Sequence, residues 1–214
     1  MKRLINYFLA LAMAISLCGC AGNVSHELET SPTPTPAATA GQIKHSGFEV
    51  HYIDVGQGDS ALVLCDDEAM LIDGGKSKAS DVIYTYLKKQ NVERLDYIVC
   101  SHADEDHIGG LSAPLSTIDV GGILAPKTGA DTNSYRNIVR KAEERGIEID
   151  NPKPGDEMKL GSSTVEFFGP ITESESDRNN GSIVMKIVYG DTSFLFTGDA
   201  EREEEQEILN AGYD

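Results

Sequence analysis

Basic residues are scarce in this chain. Lysine and arginine together number 18 against 35 aspartates and glutamates, a formal net charge of −17. That imbalance excludes a broad basic face that grips nucleic acid electrostatically, so a polyanionic substrate would need metal ions or a local basic patch at the site itself. Cysteine is sparse too: of four in the chain, Cys18 and Cys20 lie near the N-terminus, and Cys65 and Cys100 each end a strand-like run. Two buried thiols are therefore expected there, with a disulfide as the alternative. Long apolar runs are lacking, since the stretch from Leu4 to Leu17 is too short to span a bilayer comfortably. The last of the five histidines is His107, so any metal ligand beyond that point has to be something other than imidazole. No internal repeat is strong enough to suggest a repeated architecture.

What is present, 40% hydrophobic residues and 21 glycines, suits one globular domain with non-globular ends. Residues 1–19 read as an export signal: Lys2 and Arg3 form a basic start, an apolar stretch follows, and small residues close it. The end of that segment, "LCGC", resembles the lipobox of bacterial lipoproteins, which implies acylation of Cys20 as the mature N-terminus. Simple secretion is the alternative. Residues 20–46, including "ETSPTPTPAATAGQ", are rich in Pro, Thr and Ala and cannot bury a core, so they read as a tether holding the domain off the membrane. His26 and His45 are expected to be solvated.

Residues 47–214 carry the fold. "FEVHYIDV" (48–55), "SALVLC" (60–65) and "AMLID" (69–73) read as a meander of three strands. A helix over 79–90 follows, with Val82, Ile83, Tyr86 and Leu87 at helical spacing, and the chain returns as a strand at 95–100. A second helix fits 132–145. Strands are expected at about 157–160, 163–168, 182–189 and 192–197, the last two joined by "GD" as a tight hairpin turn, with a helix over 200–212. This order suggests layered α/β with two sheets.

At the end of the 95–100 strand stands "SHADEDHIGG", two histidines and three acids within seven positions. If the backbone stays extended, His102, Asp104 and Asp106 point the same way and His107 joins as the chain turns. Acids this close repel unless a cation offsets them, and imidazole with carboxylate suits Zn²⁺, Mn²⁺ or Fe. Glu105 is expected to face away. His51, on a strand, reads as a structural histidine.

The stretch resembles the metal-binding signature of the metallo-β-lactamase fold, H-x-H-x-D-H, with Asp104 where the second histidine normally stands. "IDVGQGDSALV" (53–63), "LIDGG" (71–75), "NNGSIV" (179–184) and "FLFTGDA" (194–200) resemble, in order, the motifs of the ComEC-type hydrolase domain of late competence proteins. The resemblance implies an αββα sandwich with a metal site at the edge of the two sheets. It implies that His102 and Asp104 bind one divalent ion, Asp106 and His107 a second, and that Asp199 bridges both. Carboxylate-rich ligation makes Mn²⁺ as plausible as Zn²⁺. Two such cations, roughly 3.5–4 Å apart, activate a water and hold the attacking and leaving oxygens of a phosphodiester. Asp106 is further expected as the catalytic residue that orients that water. Gln57 and Asp59, on a glycine-flanked turn, either approach the metals or substrate or form a plain β-turn. Asp73 is expected to support the ligand loop by hydrogen bonding, and Asn180 and Ser182 to contribute weakly or contact substrate.

In ComEC-type domains a further strand and an "HHGS"-like motif follow "TGDA". The chain ends at Asp214, so an unfinished second sheet is expected, whether by fragmentation or by natural truncation. The leading functional expectation is a metal-dependent phosphodiesterase or nuclease acting on DNA at the outer face of the membrane. A non-catalytic binding domain and a hydrolase of another ester or a lactam are the alternatives. Lys76, Lys78, Lys127, Arg136, Arg140 and Lys141 either guide a nucleic acid or form an ordinary solvated surface. No protein partner is inferable.

The anchor is testable directly. Cys20→Ala is expected to abolish acylation and either release the protein from the membrane fraction or leave it unprocessed; a fully processed, membrane-bound variant would exclude the lipoprotein expectation.

Overall fold

The computed structural model describes residues 46–127, 131–173 and 176–213. The expected leader, Cys20, the tether up to residue 45, and His26 and His45 lie outside these described residues.

Strict two-residue alternation builds the layers. In β2 (Ala61–Cys65) and β3 (Glu68–Ile72) Leu62, Leu64, Ala69 and Leu71 face one core, while Ala61, Val63, Cys65, Met70 and Ile72 face another. Strands apolar on both faces must lie between two layers, and these do. β1 (Phe48–Tyr52), β2 and β3 form the expected antiparallel meander. The chain then crosses through α1 (Ser80–Lys89), which buries Ile83 and Leu87, to β4 (Arg94–Val99), parallel to β3. β5 (Asp119–Leu124) and β6 (Ile149–Asp150) extend the parallel part, giving a six-stranded sheet in the order β1-β2-β3-β4-β5-β6.

Between β4 and β5 lie the short helices α2 (Glu105–Ile108) and α3 (Pro114–Thr117), joined by a 3₁₀ turn at Gly109–Ser112. α4 (Asn133–Arg145) precedes β6; Thr132 caps it by accepting from the Tyr135 N–H at 3.1 Å, and Gly146 at φ +66° ends it. The second sheet pairs β7 (Glu157–Leu160), β8 (Ser163–Gly169), β9 (Val184–Tyr189) and β10 (Thr192–Phe196) antiparallel, in the order β10-β9-β8-β7. The Gly190–Asp191 turn between β9 and β10 takes φ +57° at the glycine, as a two-residue hairpin requires. Val165, Phe167, Met185 and Ile187 pack against the first sheet, while Phe168 and Val184 point outward to Ile208 of α5 (Arg202–Ala211). The architecture is thus the expected αββα sandwich. Cys65 and Cys100 are free, buried thiols.

β5 and β6 carry no strand signal in the sequence. β5 contains Gly121 and Gly122, poor strand formers by propensity, yet a Cβ at Gly121 would lie 2.7 Å from the Asp96 carbonyl oxygen of β4, so close approach of the neighbour requires glycine. β1 and β9 are shorter than expected, leaving Ile53–Asp59 and Ser182 in loops at one edge of the sandwich.

That edge is where β3 and β4 end together, because parallel strands send their C-termini the same way. Two glycine pairs bring the following loops into backbone contact: the Gly74 N–H donates to the His107 carbonyl at 2.7 Å and the Gly110 N–H to the Gly75 carbonyl at 2.8 Å. A Cβ at Gly110 would lie 2.0 Å from the Gly74 carbonyl oxygen. Gly110→Ala is therefore expected to cost about 1–3 kcal/mol through overpacking, read as a lowered midpoint in thermal denaturation; an unchanged midpoint would show that these two loops are not locked together.

Candidate metal centre

Asp73 is the first residue after β3 and sits in the left-handed region at φ +54°, which turns its carboxylate inward. It is buried and accepts three hydrogen bonds: from the Ser101 N–H at 2.8 Å, the Ser101 hydroxyl at 2.6 Å and His107 Nδ1 at 2.9 Å. A carboxylate only accepts, so the His107 Nδ1 carries the proton and its Nε2 faces the centre. The Ser101 hydroxyl has one hydrogen, which it gives to Asp73; its oxygen therefore accepts from His102 Nδ1 at 3.1 Å. This leaves a lone pair on His102 Nε2, which is buried and has no hydrogen-bond partner. Tautomer control of this kind is how imidazoles are prepared as metal ligands.

The β10–α5 loop supplies the third donor. Asp199 presents Oδ1 3.2 Å from His107 Nε2 and Oδ2 4.0 Å from His102 Nε2, one oxygen to each ring. Donor atoms of His102, His107 and Asp199 all lie within 4.8 Å of one another, a spacing that a cation with bonds of about 2.1 Å would draw in. An orphaned buried nitrogen in a cluster of two imidazoles and a carboxylate fits a divalent cation. Asp104 adds Oδ2 at 4.0 Å from His102 Nε2.

Asp106 departs from the expected alignment. The backbone is extended only as far as Asp104, the N-cap of α2 at φ −76°, ψ 146°, and turns helical at Glu105. The expectation that 102, 104 and 106 share one direction through extended backbone is therefore corrected: helix geometry rotates Asp106 to Gln57, whose Nε2 donates to Asp106 Oδ2 at 3.0 Å. Gln57 in turn accepts from Lys76 Nζ at 2.7 Å. The "GQGD" turn thus contacts the ligand loop, and a Cβ at Gly58, at φ +90°, would overlap the Asp106 carbonyl. Glu105 faces away, as expected, and accepts from the Ser77 N–H at 2.9 Å. Asp59 makes its nearest structural tie through its carbonyl, which accepts from the Gly75 N–H at 2.9 Å, and its carboxylate acts on His107 through charge.

Asn180 and Ser182 hold the Asp199 loop. Ser182 Oγ accepts from the Asp199 N–H at 3.2 Å, and Asn180 Oδ1 accepts from the Glu201 N–H at 2.9 Å. His51 is a satisfied strand residue, 2.9 Å from both Tyr86 Oη and Glu49 Oε2. Arg178, which sequence reasoning passed over, donates from Nε to Asp104 Oδ1. Its only signal was a base immediately before "NNGSIV", in a chain poor in bases.

Two face-to-face sheets between helices, with a buried imidazole pair and a carboxylate at their common edge, define an αββα metal-site protein. The chain belongs to the Metallo-beta-lactamase superfamily, whose family model matches residues 53–213. It is 29% identical over 180 residues to ComE operon protein 3 of Bacillus subtilis (strain 168), covering 76% of this chain and 23% of that protein. To Competence protein ComA of Neisseria gonorrhoeae it is 30% identical over 190 residues, covering 88% of this chain and 23% of the relative. The chain thus spans about a quarter of the length of these curated relatives. Among solved structures, the Cronobacter sakazakii metallo-beta-lactamase with a HARLDQ motif superposes with a TM-score of 0.52 at 19% identity, over 77% of this chain and 62% of that one, which shows the shared fold. The superfamily is typically one of metal-dependent hydrolases, and its members usually bind zinc.

Burial pulls the His107 pKa down, but the hydrogen bond and charge of Asp73, joined by Asp199 and Asp59, outweigh it and raise the ring to about 9. His102 shifts the other way: burial and then the neighbouring His107 charge lower it, partly opposed by Asp73, Asp199 and Asp104. Without metal, the folded-state pKa of His107 lies above its ordinary value of 6.5, so the stability it contributes is complete below about 6.5 and is lost as pH rises through about 9. Urea unfolding of the metal-free protein between pH 6 and 10 is expected to show a midpoint falling across that window, with the decline weakened in His107→Gln. An identical pH dependence in the variant would exclude this coupling.

Proposed function

We propose that this domain hydrolyses phosphodiesters, with DNA as substrate, at the outer face of a membrane. The observation that carries the reading is Asp199, which turns one oxygen to each of two tautomer-controlled imidazoles while Asp104 stands beside the first. Such a donor set suits a pair of divalent cations, and its carboxylate content admits Mn²⁺ as well as Zn²⁺. When bound, such ions supply Lewis-acid polarisation of a phosphoryl oxygen and a nucleophilic water at neutral pH.

The chain's own residues do the rest. His102, Asp104 and Asp199 would hold one cation and His107 with Asp199 the other, with Asp106, now bonded to Gln57, as a further donor from the same loop. Asp106 is the catalytic residue that orients the attacking water and takes its proton. Asp73 fixes both imidazoles, and Ser182 and Asn180 fix Asp199. His107, protonated on both nitrogens at neutral pH, would release its Nε2 proton to solvent on binding a cation and keep the Nδ1 proton donated to Asp73. The names of the competence relatives support DNA as the substrate, and Asp104 in place of a histidine supports a phosphodiester over a lactam. Membrane placement rests on the basic and apolar leader and on Cys20.

Metal stoichiometry measured beside hydrolysis of single-stranded DNA and bis(p-nitrophenyl) phosphate tests the reading. Asp199→Ala is expected to lose more bound metal than Asp104→Ala, and Asp106→Ala and Asp199→Ala to lower Mn²⁺-dependent turnover by roughly 10²–10⁴-fold. A protein that binds no divalent metal, or that turns over equally after both changes, would overturn it.

A further inference from the structure

The loop between β8 and β9 brings a cation to the metal centre. Arg178 Nε donates to Asp104 Oδ1, while the other oxygen of the same carboxylate, Oδ2, lies 4.0 Å from the orphaned His102 Nε2. A carboxylate held on one oxygen by a planar guanidinium loses its freedom to rotate, so the second oxygen stays aimed at the histidine. The loop that presents Arg178 is itself anchored: the Gly181 N–H donates to the Arg178 carbonyl at 3.1 Å, and Asn179 Nδ2 donates to Glu201 Oε1 at 3.0 Å. The Ile183 N–H, just beyond, donates to the Ser101 carbonyl at 2.8 Å, which ties this segment to the residue orienting His102.

Arg178 pairs directly with a carboxylate beside His102, whereas Lys76 reaches the ligand loop only through Gln57. Arg136 and Arg140 of α4 are engaged with their own helix, by Asn133 and by Glu144 and Asn137 respectively. Arg178 instead points at the cluster, with its side chain 38% exposed. With Nε committed to Asp104, the terminal amino groups carry four further N–H donors in a plane that matches phosphate oxygens.

We propose that Arg178 is a positioning and specificity residue: its Nε sets the Asp104 carboxylate for the cation shared with His102 and Asp199, and its terminal amino groups form the subsite for the non-bridging oxygens of an anionic phosphodiester. The substrate half rests on the phosphodiesterase reading; the metal half does not. In a chain of net charge −17, this guanidinium supplies at the site the positive charge that the surface as a whole lacks.

Calorimetric titration of the full chain separates the two halves. Zn²⁺ and Mn²⁺ are titrated alone into wild type, Arg178→Gln and Arg178→Lys, and dimethyl phosphate is then titrated into each metal-saturated protein. Arg178→Gln is expected to weaken metal binding about tenfold, the lower end of the range for outer ligand partners, and dimethyl phosphate binding by a similar factor. Arg178→Lys keeps the charge without the fork, so it should recover phosphate binding and leave metal affinity reduced. Wild-type affinity for both in Arg178→Gln overturns the proposal. A metal-loaded wild type that binds no dimethyl phosphate overturns the substrate half together with the phosphodiesterase reading, and the metal titration alone then decides the positioning role.

Discussion

One buried carboxylate organises the centre. Asp73 directly follows β3, and its three acceptor contacts reach the backbone N–H of Ser101 two residues beyond β4, the Ser101 hydroxyl and the His107 imidazole within α2. Leaving any of these donors unpaired in a dry interior would cost about 1–3 kcal/mol each, so the two strand ends, the serine relay and the ligand loop are bound to one geometry. From that constraint follow the protonated Nδ1 atoms of both histidines, the inward Nε2 atoms, and the elevated pKa of His107. The left-handed backbone at Asp73 and the glycines that follow are conditions for it: a chain that continued as strand would turn the carboxylate away, and bulkier residues would hold the loops apart.

Around this fixed point the acids are partitioned. Asp199 faces the histidines, Asp104 is shared between His102 and Arg178, and Asp106 belongs to Gln57 and, through it, to Lys76. Close carboxylates repel; in the ligand loop Asp104 is offset by the Arg178 guanidinium, while Asp106 accepts from the neutral Gln57 amide, which Lys76 holds in turn. A divalent cation would enter a site where Arg178 already holds one oxygen of Asp104 and leaves the other facing His102.

The layers of the fold were legible in the residues themselves. Alternation in β2 and β3, helical spacing at Ile83 and Leu87, and the Gly190–Asp191 turn each state their structure locally. β5 was hidden because Gly121 answers a crowded neighbour rather than a local preference, and β6 because two residues carry no period at all. The ligand loop was legible as a cluster of donors. Its geometry was not, because the helix begins at Glu105 inside the motif and converts the two-residue period that aligns His102 with Asp104 into a rotation that removes Asp106.

The sequence by itself determined which donors are available and in what order, that the domain is a two-sheet α/β sandwich, and that its acidic chain needs cations at a site rather than a basic face. Only the tertiary structure decided which donors meet. Arg178 and Asp104 are 74 positions apart, Gln57 and Asp106 are 49 apart, and Asp73 and His107 are 34 apart. Contacts of that separation have no local signature: strand pairing and loop packing select them, and side-chain direction at the end of each element sets which atom reaches which.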